Sequence, residues 1–225
     1  MTREQVRARV LEVGIVPVVR ATSAKQAISA AVAVAAGGIT IVEVTMTVPG
    51  ALDAISQLIK ALGSEVIVGA GTVLDAQAAR QCFDAGAEFL VSPGLDLGTI
   101  KAANDAGKLI MAGALTPTEV ITAWKAGADF VKVFPASAVG GPGYLKALRG
   151  PLPQVPLVPT GGVNLNTAAD FLRAGASALG VGGELVVAAA LKTGETAQIT
   201  ALARQYLDIV QQVREAEAKP AMAGD

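Results

Sequence analysis

Residues 129–135 read DFVKVFP, a short apolar run with one lysine inside it and a proline at its end. The pattern predicts a buried strand, and in its two-residue period Lys132 lies on the side of Phe130 and Phe134. A lysine in apolar surroundings loses hydration, which favours the uncharged amine that attacks carbonyl carbons. The alternative is a lysine near a strand end whose ammonium group reaches water.

The segment that leads into this strand, AGAD at residues 126–129, recurs three times in variant form. The related segments read AGGI at 36–39, AGAE at 85–88 and AGAS at 174–177, and each precedes a predicted strand. Their shared glycines suit the left-handed residue that ends many helices. These glycines are 49, 41 and 48 residues apart along the chain. The spacing predicts a chain built of repeated strand–helix units.

Strand-like apolar runs alternate with helical patterns through the whole sequence. Eight strands are predicted, at residues 14–20, 40–45, 66–72, 88–91, 108–112, 129–134, 155–159 and 176–181. Helices are predicted at residues 2–13, 24–36, 48–62, 75–85, 96–106, 116–127, a short segment ending at 148, 166–174, and a final region after 183. Pro49 suits the first turn of the helix at 48–62, and TPTE at 116–119 is a capping-box pattern.

Eight strands alternating with helices in 225 residues predict a parallel (β/α)₈ TIM barrel in the α/β class, formed as a single domain. We expect the barrel and its N-terminal helix to occupy residues 1–218, followed by a disordered tail at 219–225. A doubly wound open sheet is the structural alternative, but no G-x-G-x-x-G motif opens a helix after the first strand.

The composition restricts both the chemistry and the partners of the protein. Hydrophobic residues make up 52% and charged residues 16%, which is ample for a large core. With 18 basic and 19 acidic residues, the balance gives no reason to expect nucleic acid or a membrane as partner. The absence of histidine excludes Ser–His and Cys–His catalysis. We expect no metal and no cofactor, and we expect a soluble cytoplasmic protein because no targeting segment is evident.

The active site of a (β/α)₈ barrel lies at the carboxyl ends of its strands. The residues predicted there are Arg20, Glu43, Thr45, Thr72, Pro93, Lys132, Phe134, Thr160, Gly161, Gly162, Gly182 and Gly183. A carboxylate is rare in a buried barrel layer, so Glu43 either pairs with Lys132 or moves protons during carbonyl chemistry. The glycine pairs follow the last two strands, where barrels often bind phosphate, although they could be only tight turns. Arg20 could bind an anion or form an exposed salt bridge, and Thr72 could hydrogen-bond a carboxylate or cap a helix.

Five segments, in order, resemble a known family, the 2-keto-3-deoxy-6-phosphogluconate (KDPG) and 4-hydroxy-2-oxoglutarate aldolases, which are class I pyruvate aldolases. The matching segments are IVEVT at 41–45, VGAGTV at 68–73, VSPG at 91–94, VKVFPA at 131–136 and PTGGV at 159–163. The resemblance covers about residues 10–210 and implies a (β/α)₈ barrel, usually a homotrimer, that needs no metal. It also implies reversible cleavage of KDPG, a phosphorylated keto acid of the Entner–Doudoroff pathway, to pyruvate and glyceraldehyde 3-phosphate.

The resemblance implies a role for each predicted site residue. Lys132 would form a Schiff base with the C2 carbonyl of the substrate, and Glu43 would be the general acid/base. Thr72 would help to hold the pyruvate carboxylate. The pocket would be lined by Pro93 and Phe134, and the phosphate would be received by Gly161, Gly162, Gly182 and Gly183.

Two positions depart from the pattern of some family members. Thr47 stands where some members have an arginine that binds the carboxylate, and Arg20 could supply that charge instead. Glu184 replaces a serine that contacts phosphate in some members, and a carboxylate aimed at a phosphate would repel it. These departures leave open the galactonate-derived epimer, or 4-hydroxy-2-oxoglutarate, as the better substrate. Two hypotheses of other classes also stay open: a phosphosugar isomerase or epimerase, and a catalytically silent phosphate-binding barrel that acts as an assembly scaffold.

Overall fold

The computed structural model describes residues 1–218, in which eight parallel strands alternate with helices around a barrel. The strands are β1 Ile15–Val19, β2 Ile41–Thr45, β3 Ile67–Gly71, β4 Phe89–Val91, β5 Leu109–Ala114, β6 Phe130–Val133, β7 Leu157–Pro159 and β8 Leu179–Val181. The helices are α1 Arg3–Val13, α2 Ala24–Ala36, α3 Ala51–Leu62, α4 Ala76–Asp84, α5 Leu97–Asp105, α6 Pro117–Lys125, α7 Pro142–Arg149, α8 Ala168–Arg173, α9 Ala188–Thr193 and α10 Ala197–Ala218.

The strand order makes the sheet a nearly closed ring. Hydrogen-bonded neighbours run in the order β7-β6-β5-β4-β3-β2-β1-β8, so β1 lies beside both β2 and β8. Between β7 and β8 a single bridge pairs Thr160 with Gly180, and the Ser177 N–H donates to the Leu157 carbonyl at 2.9 Å. The predicted single-domain (β/α)₈ barrel is confirmed, and the open-sheet alternative is wrong. The predicted tail at 219–225 lies outside the described residues.

The strands are buried along their whole length, as expected for a parallel sheet that is covered by helices. Helix α1 packs across the amino ends of the strands, where Val6 and Val10 are buried. Arg3 fixes this helix, because its guanidinium donates to Asp129 at 2.7 Å just before β6. No helix among residues 1–218 combines the length and the apolarity that crossing a membrane requires.

Most predicted boundaries agree with the observed ones to within two or three residues, and the differences have local causes. The predicted capping box of α6 is present, with Thr116 and Glu119 each accepting from the backbone of the other. The predicted start of α3 at residue 48 is wrong. This helix begins at Ala51, after the left-handed Gly50, which leaves Pro49 outside the helix. A 3₁₀ turn at Ala136–Val139 was not predicted. The final helical region divides into α9 and α10 at the left-handed Gly194.

Three of the four repeat glycines have the predicted left-handed backbone, with Gly86, Gly127 and Gly175 at φ 98°, 92° and 94°. In the first repeat the left-handed residue is Gly38, at φ 99°, rather than Gly37. Gly37 is needed for packing instead, since a Cβ there would lie 2.4 Å from the Ala203 Cβ of α10. The pair Gly37-Gly38 therefore combines a helix end with a close helix contact.

Candidate active site

Lys132 lies in the middle of β6 and is 4% exposed. The strand places it in register with Gly113 of β5 and Val158 of β7. Its Nζ atom is 5.4 Å from the centre of the Phe134 ring, which suits a cation–π contact. A side chain this buried does not extend into water, so the alternative in which the Lys132 side chain reaches solvent is wrong.

Glu43 lies in β2 and is 1% exposed. Its Oε1 atom is buried and has no hydrogen-bond partner among residues 1–218. Burial raises the pKa of the Glu43 carboxyl above its ordinary 4.5, and the charges of Lys132 and Arg20 offset part of that increase. An unpartnered buried carboxyl oxygen is costly, and it is the kind of atom that a substrate group can satisfy.

Glu43 and Lys132 do not form the direct ion pair that was one of the two alternatives predicted from the sequence. Within residues 1–218 no nitrogen of Lys132 approaches a Glu43 oxygen within 4.0 Å, although the lysine charge acts on the carboxyl group. The two groups are therefore close enough to interact electrostatically without forming a direct ion pair. Their catalytic roles stay predictions.

The raised pKa of Glu43 predicts a specific dependence of stability on pH. The folded state favours the protonated carboxyl of Glu43. Below the ordinary pKa of 4.5 this group is protonated in both the folded and the unfolded state, so it does not lower the free energy of unfolding there. Stability is then lost as the pH rises through the higher folded pKa. We expect the free energy of unfolding of Glu43→Gln, relative to wild type, to increase as the pH rises above 4.5, as measured by urea titration. A difference that is constant or shrinks with rising pH would contradict the burial of an ionisable Glu43.

Two glycines of β3 make room for the side chains around Glu43. A Cβ at Gly71 would lie only 1.7 Å from the Glu43 Oε1 atom, so the carboxyl group occupies the space that a larger residue would fill. A Cβ at Gly69 would lie 2.4 Å from the Phe89 ring. The sequence VGAGTV therefore leaves space for the Glu43 carboxyl group and the Phe89 ring as well as ending the strand.

Gly71→Ala is expected to displace the Glu43 side chain because the new methyl group needs the space of the carboxyl. The cost in stability is about 1–3 kcal/mol, and kcat falls by about 100-fold if the carboxyl moves by an ångström. Urea unfolding and steady-state kinetics measure the two effects. Gly143→Ala is the matched control, because no heavy atom lies within 4 Å of its Cβ position. Equal behaviour of the two variants would contradict the assigned role of Gly71.

Thr72 and Pro93 lie on the loops after β3 and β4. Thr72 is half-buried and has φ 57°, the one positive value for a residue other than glycine in the described chain. Such a backbone is strained for a β-branched residue and is often found at functional sites. The Pro93-Gly94 peptide lies against Gly113 of β5, where a Cβ would be 2.3 Å from it.

Ser92 fixes the Pro93 loop and was not among the site residues predicted from the sequence. Its hydroxyl donates to the Gly94 carbonyl at 2.8 Å and accepts from the Gly113 N–H at 3.0 Å. Ser92 is 1% exposed, so these bonds form in a dry environment where they rigidify the loop. The pattern serine–proline–glycine after a strand is a turn signal that could have indicated it.

A cavity of about 210 Å³ lies at the carboxyl ends of β7, β8 and β1. Of the predicted site residues, it is lined by Arg20, Phe134, Thr160, Gly161, Gly162, Gly182 and Gly183. Glu43, Lys132, Thr72 and Pro93 do not line this cavity. Phe134 joins the two groups, since its ring faces the Lys132 ammonium and also lines the cavity. The structure thus divides the predicted site into a buried lysine–glutamate part and a more open part near the glycines.

Backbone N–H groups are available in the open part. Ala136 and Ser137 donate to the carbonyls of Thr160 and Gly161, which holds the loop after β7 in place. The N–H groups of Gly162 and Gly183 have no acceptor among residues 1–218. Unpaired N–H groups at neighbouring loops form a concave site that suits an anion.

Arg20 is exposed and forms no ion pair with a carboxylate of residues 1–218. Thr47 is bonded to Thr45, with 2.8 Å between the two hydroxyl oxygens, and Thr45 donates to the Val19 carbonyl. Thr47 therefore supports the end of β2, and Arg20 is the cation that the loop after β1 offers to a ligand.

Tyr206 of α10 is a second group that sequence analysis missed. Its ring is fully buried, and its hydroxyl has no hydrogen-bond partner in the described part of the chain. Burial raises the pKa of Tyr206 to about 12, with a further contribution from the negative charge of Glu184. The charge of the Glu184 carboxylate therefore reaches Tyr206 of α10 as well as the cavity that Glu184 lines.

Comparison with known proteins supports the same interpretation. The family model described as KDPG and KHG aldolase matches residues 6–202. The KHG/KDPG aldolase of Escherichia coli K12 is 40% identical over 195 residues, which are 86% of this chain and 91% of that protein. The crystal structure of KDPG aldolase from Legionella pneumophila, with pyruvate captured as a covalent carbinolamine, is 31% identical with a TM-score of 0.82. The alignment covers 88% of this chain and 96% of that one.

A second solved structure shares the fold to the same degree. The KDPG aldolase of Zymomonas mobilis ZM4, solved with 3-phosphoglycerate, is 33% identical with a TM-score of 0.81, covering 92% of this chain and 97% of that one. A (β/α)₈ barrel with a buried lysine and a buried carboxyl group near the strand ends is typical of a class I aldolase. The chain belongs to the KDPG and KHG aldolase family. The resemblance stated from the sequence is thus confirmed.

Proposed function

We propose that this protein cleaves KDPG reversibly to pyruvate and D-glyceraldehyde 3-phosphate, and that it also accepts 4-hydroxy-2-oxoglutarate. The observation that carries the proposal is the buried Lys132 beside Glu43, whose Oε1 atom has no partner within residues 1–218. Family membership favours this reaction over an isomerase or a silent scaffold.

In the proposed mechanism, Lys132 is the nucleophile. Its neutral Nζ attacks the C2 carbonyl and forms a carbinolamine, whose oxygen leaves as water after protonation. The resulting iminium ion is an electron sink. Loss of the proton from the C4 hydroxyl then breaks the C3–C4 bond: C4 leaves as the aldehyde carbon of glyceraldehyde 3-phosphate, and the bond's electrons form an enamine. Protonation of the enamine at C3, followed by hydrolysis, releases pyruvate and restores the free lysine.

Glu43 is the proposed proton carrier for these steps. A carboxyl group whose pKa is raised by burial can donate a proton to the leaving water and later accept one from the C4 hydroxyl. The unpartnered Oε1 atom leaves one oxygen free for this exchange. The chemistry needs neither imidazole nor a metal ligand set, which agrees with a sequence that has no histidine.

The two ends of the substrate have separate proposed binding groups. Thr72 and Arg20 hold the pyruvate carboxylate, with Pro93 and Phe134 as walls of the pocket. The phosphate is bound by backbone N–H groups in the loops that contain Gly161, Gly162, Gly182 and Gly183, next to Thr160. The support is the cavity that gathers these loops beside Arg20 and Phe134.

The proposed activity is tested with purified protein and KDPG, by measuring pyruvate and glyceraldehyde 3-phosphate together. Equal amounts of the two products are expected, with a smaller yield from the galactonate-derived epimer. Proton exchange at the substrate carbon without any pyruvate would overturn the proposal in favour of an isomerase or epimerase. Ligand-induced stabilisation without turnover would favour the scaffold.

Assembly and location are further parts of the proposal. We propose a homotrimer, because the family resemblance implies a trimeric assembly. We also propose that the protein is cytoplasmic, because its bacterial relatives are metabolic aldolases. Sedimentation equilibrium should give about three times the chain mass of 22.6 kDa. A mass of one or two chains at micromolar concentration would contradict the trimer.

A further inference from the structure

Glu184 lies in the cavity where the phosphate end of the substrate is proposed to bind. Among the described residues that line this cavity, Arg20 and Glu184 are the charged ones. The lining therefore has no net side-chain charge, which is unusual for a site that binds a phosphate dianion. The attraction for an anion comes mainly from backbone N–H groups.

Nothing within residues 1–218 holds the Glu184 side chain away from this cavity. The residue is exposed, and its carboxylate takes part in no ion pair and accepts no hydrogen bond in that part of the chain. Its negative charge contributes to the raised pKa of the buried Tyr206, so the charge influences groups beyond the residue's own loop.

Arg20 lines the same cavity, but the proposed function assigns its charge to the other end of the substrate. Under the proposed function, Arg20 binds the pyruvate carboxylate, and its charge also reaches Glu43. A phosphate ester carries a charge of about −1.5 to −2 at neutral pH, whereas a carboxylate carries −1. Repulsion by Glu184 is therefore greater for a phosphorylated substrate than for one that ends in a carboxylate.

We propose that Glu184 is a specificity-determining residue that lowers the preference of the site for phosphorylated keto acids over carboxylate-ended ones. The inference rests on the proposed function and defines the substrate range of that same site. KDPG stays a substrate because backbone N–H groups still bind its phosphate, while 4-hydroxy-2-oxoglutarate competes better than it would without Glu184.

The test compares kcat/KM for KDPG and for 4-hydroxy-2-oxoglutarate in wild type, Glu184→Gln and Glu184→Asp. Glu184→Gln should raise the KDPG to hydroxyoxoglutarate ratio by about threefold to tenfold at low ionic strength, mainly through a lower KM for KDPG. Glu184→Asp keeps the charge and should retain the wild-type ratio. Inorganic phosphate should inhibit Glu184→Gln at lower concentrations than wild type.

Salt separates an electrostatic role from a structural one. The gain in Glu184→Gln should shrink between ionic strengths of about 0.01 M and 1 M, because screening removes a repulsion between exposed charges. Glu195→Gln removes the same charge from an exposed position outside the cavity and is the matched control. An unchanged ratio in Glu184→Gln, or an equal change in Glu195→Gln, would overturn the inference.

Failure of the proposed function gives a different result from failure of this inference. If neither substrate yields pyruvate and no adduct forms on Lys132, the aldolase itself is contradicted. If both substrates are cleaved and their ratio is insensitive to residue 184, the aldolase stands and the specificity role of Glu184 is wrong.

Discussion

Lys132→Met is expected to lower the rate of KDPG cleavage by about 10⁴- to 10⁶-fold, because it removes the amine that forms the covalent intermediate. Methionine has a similar length and is apolar, so it fits the buried position in β6 without an unpaired charge. Steady-state pyruvate release measures the loss. Circular dichroism and a cooperative urea transition show that the barrel still folds.

The control for this variant is Lys146→Met, which removes an exposed lysine of α7. Its activity should be close to that of wild type. A Lys132→Met protein that is folded and retains a substantial part of the wild-type rate would show that the amine of Lys132 is not the nucleophile.

Glu43→Gln is expected to lower kcat by about 100- to 10,000-fold, which is the usual contribution of a positioned general acid or base. Glutamine keeps the shape of the side chain but can no longer exchange a proton, so the loss isolates proton transfer. Pyruvate should still label Lys132 in this variant on long incubation with borohydride, although more slowly than in wild type.

The two variants therefore differ in the step that they block. Lys132→Met loses both turnover and labelling, whereas Glu43→Gln loses turnover and delays labelling. Glu43→Gln with a wild-type kcat would contradict the proton-transfer role and leave Glu43 as a buried residue that only influences stability.

The barrel could be predicted from the sequence because its signals are local and repeated. Apolar runs in alternation with helical patterns, together with the AGAD-like segments, fix the order of strands and helices. The same regularity predicts which residues stand at strand ends, and this is why Lys132 and Glu43 could be singled out. Their partners in space depend on the register of neighbouring strands, which the barrel topology supplies.

The residues that sequence analysis missed act through contacts between distant segments. Gly71 admits the Glu43 carboxyl group from a neighbouring strand, and Ser92 links its own loop to Gly113 of β5. Tyr206 lies in an ordinary helical pattern of the sequence, and only the fold brings it within reach of the charge of Glu184. Gly37 and Pro49 were assigned local roles in helix ends, but tertiary packing and the left-handed Gly50 decide those positions.

The most direct test of the account is reduction with borohydride in the presence of pyruvate, followed by mass spectrometry of the digested protein. We expect one reduced pyruvyl group per chain, located on Lys132 and absent when either pyruvate or borohydride is omitted. Labelling at another lysine, or no labelling under conditions in which the protein cleaves KDPG, would contradict the Schiff-base mechanism at Lys132.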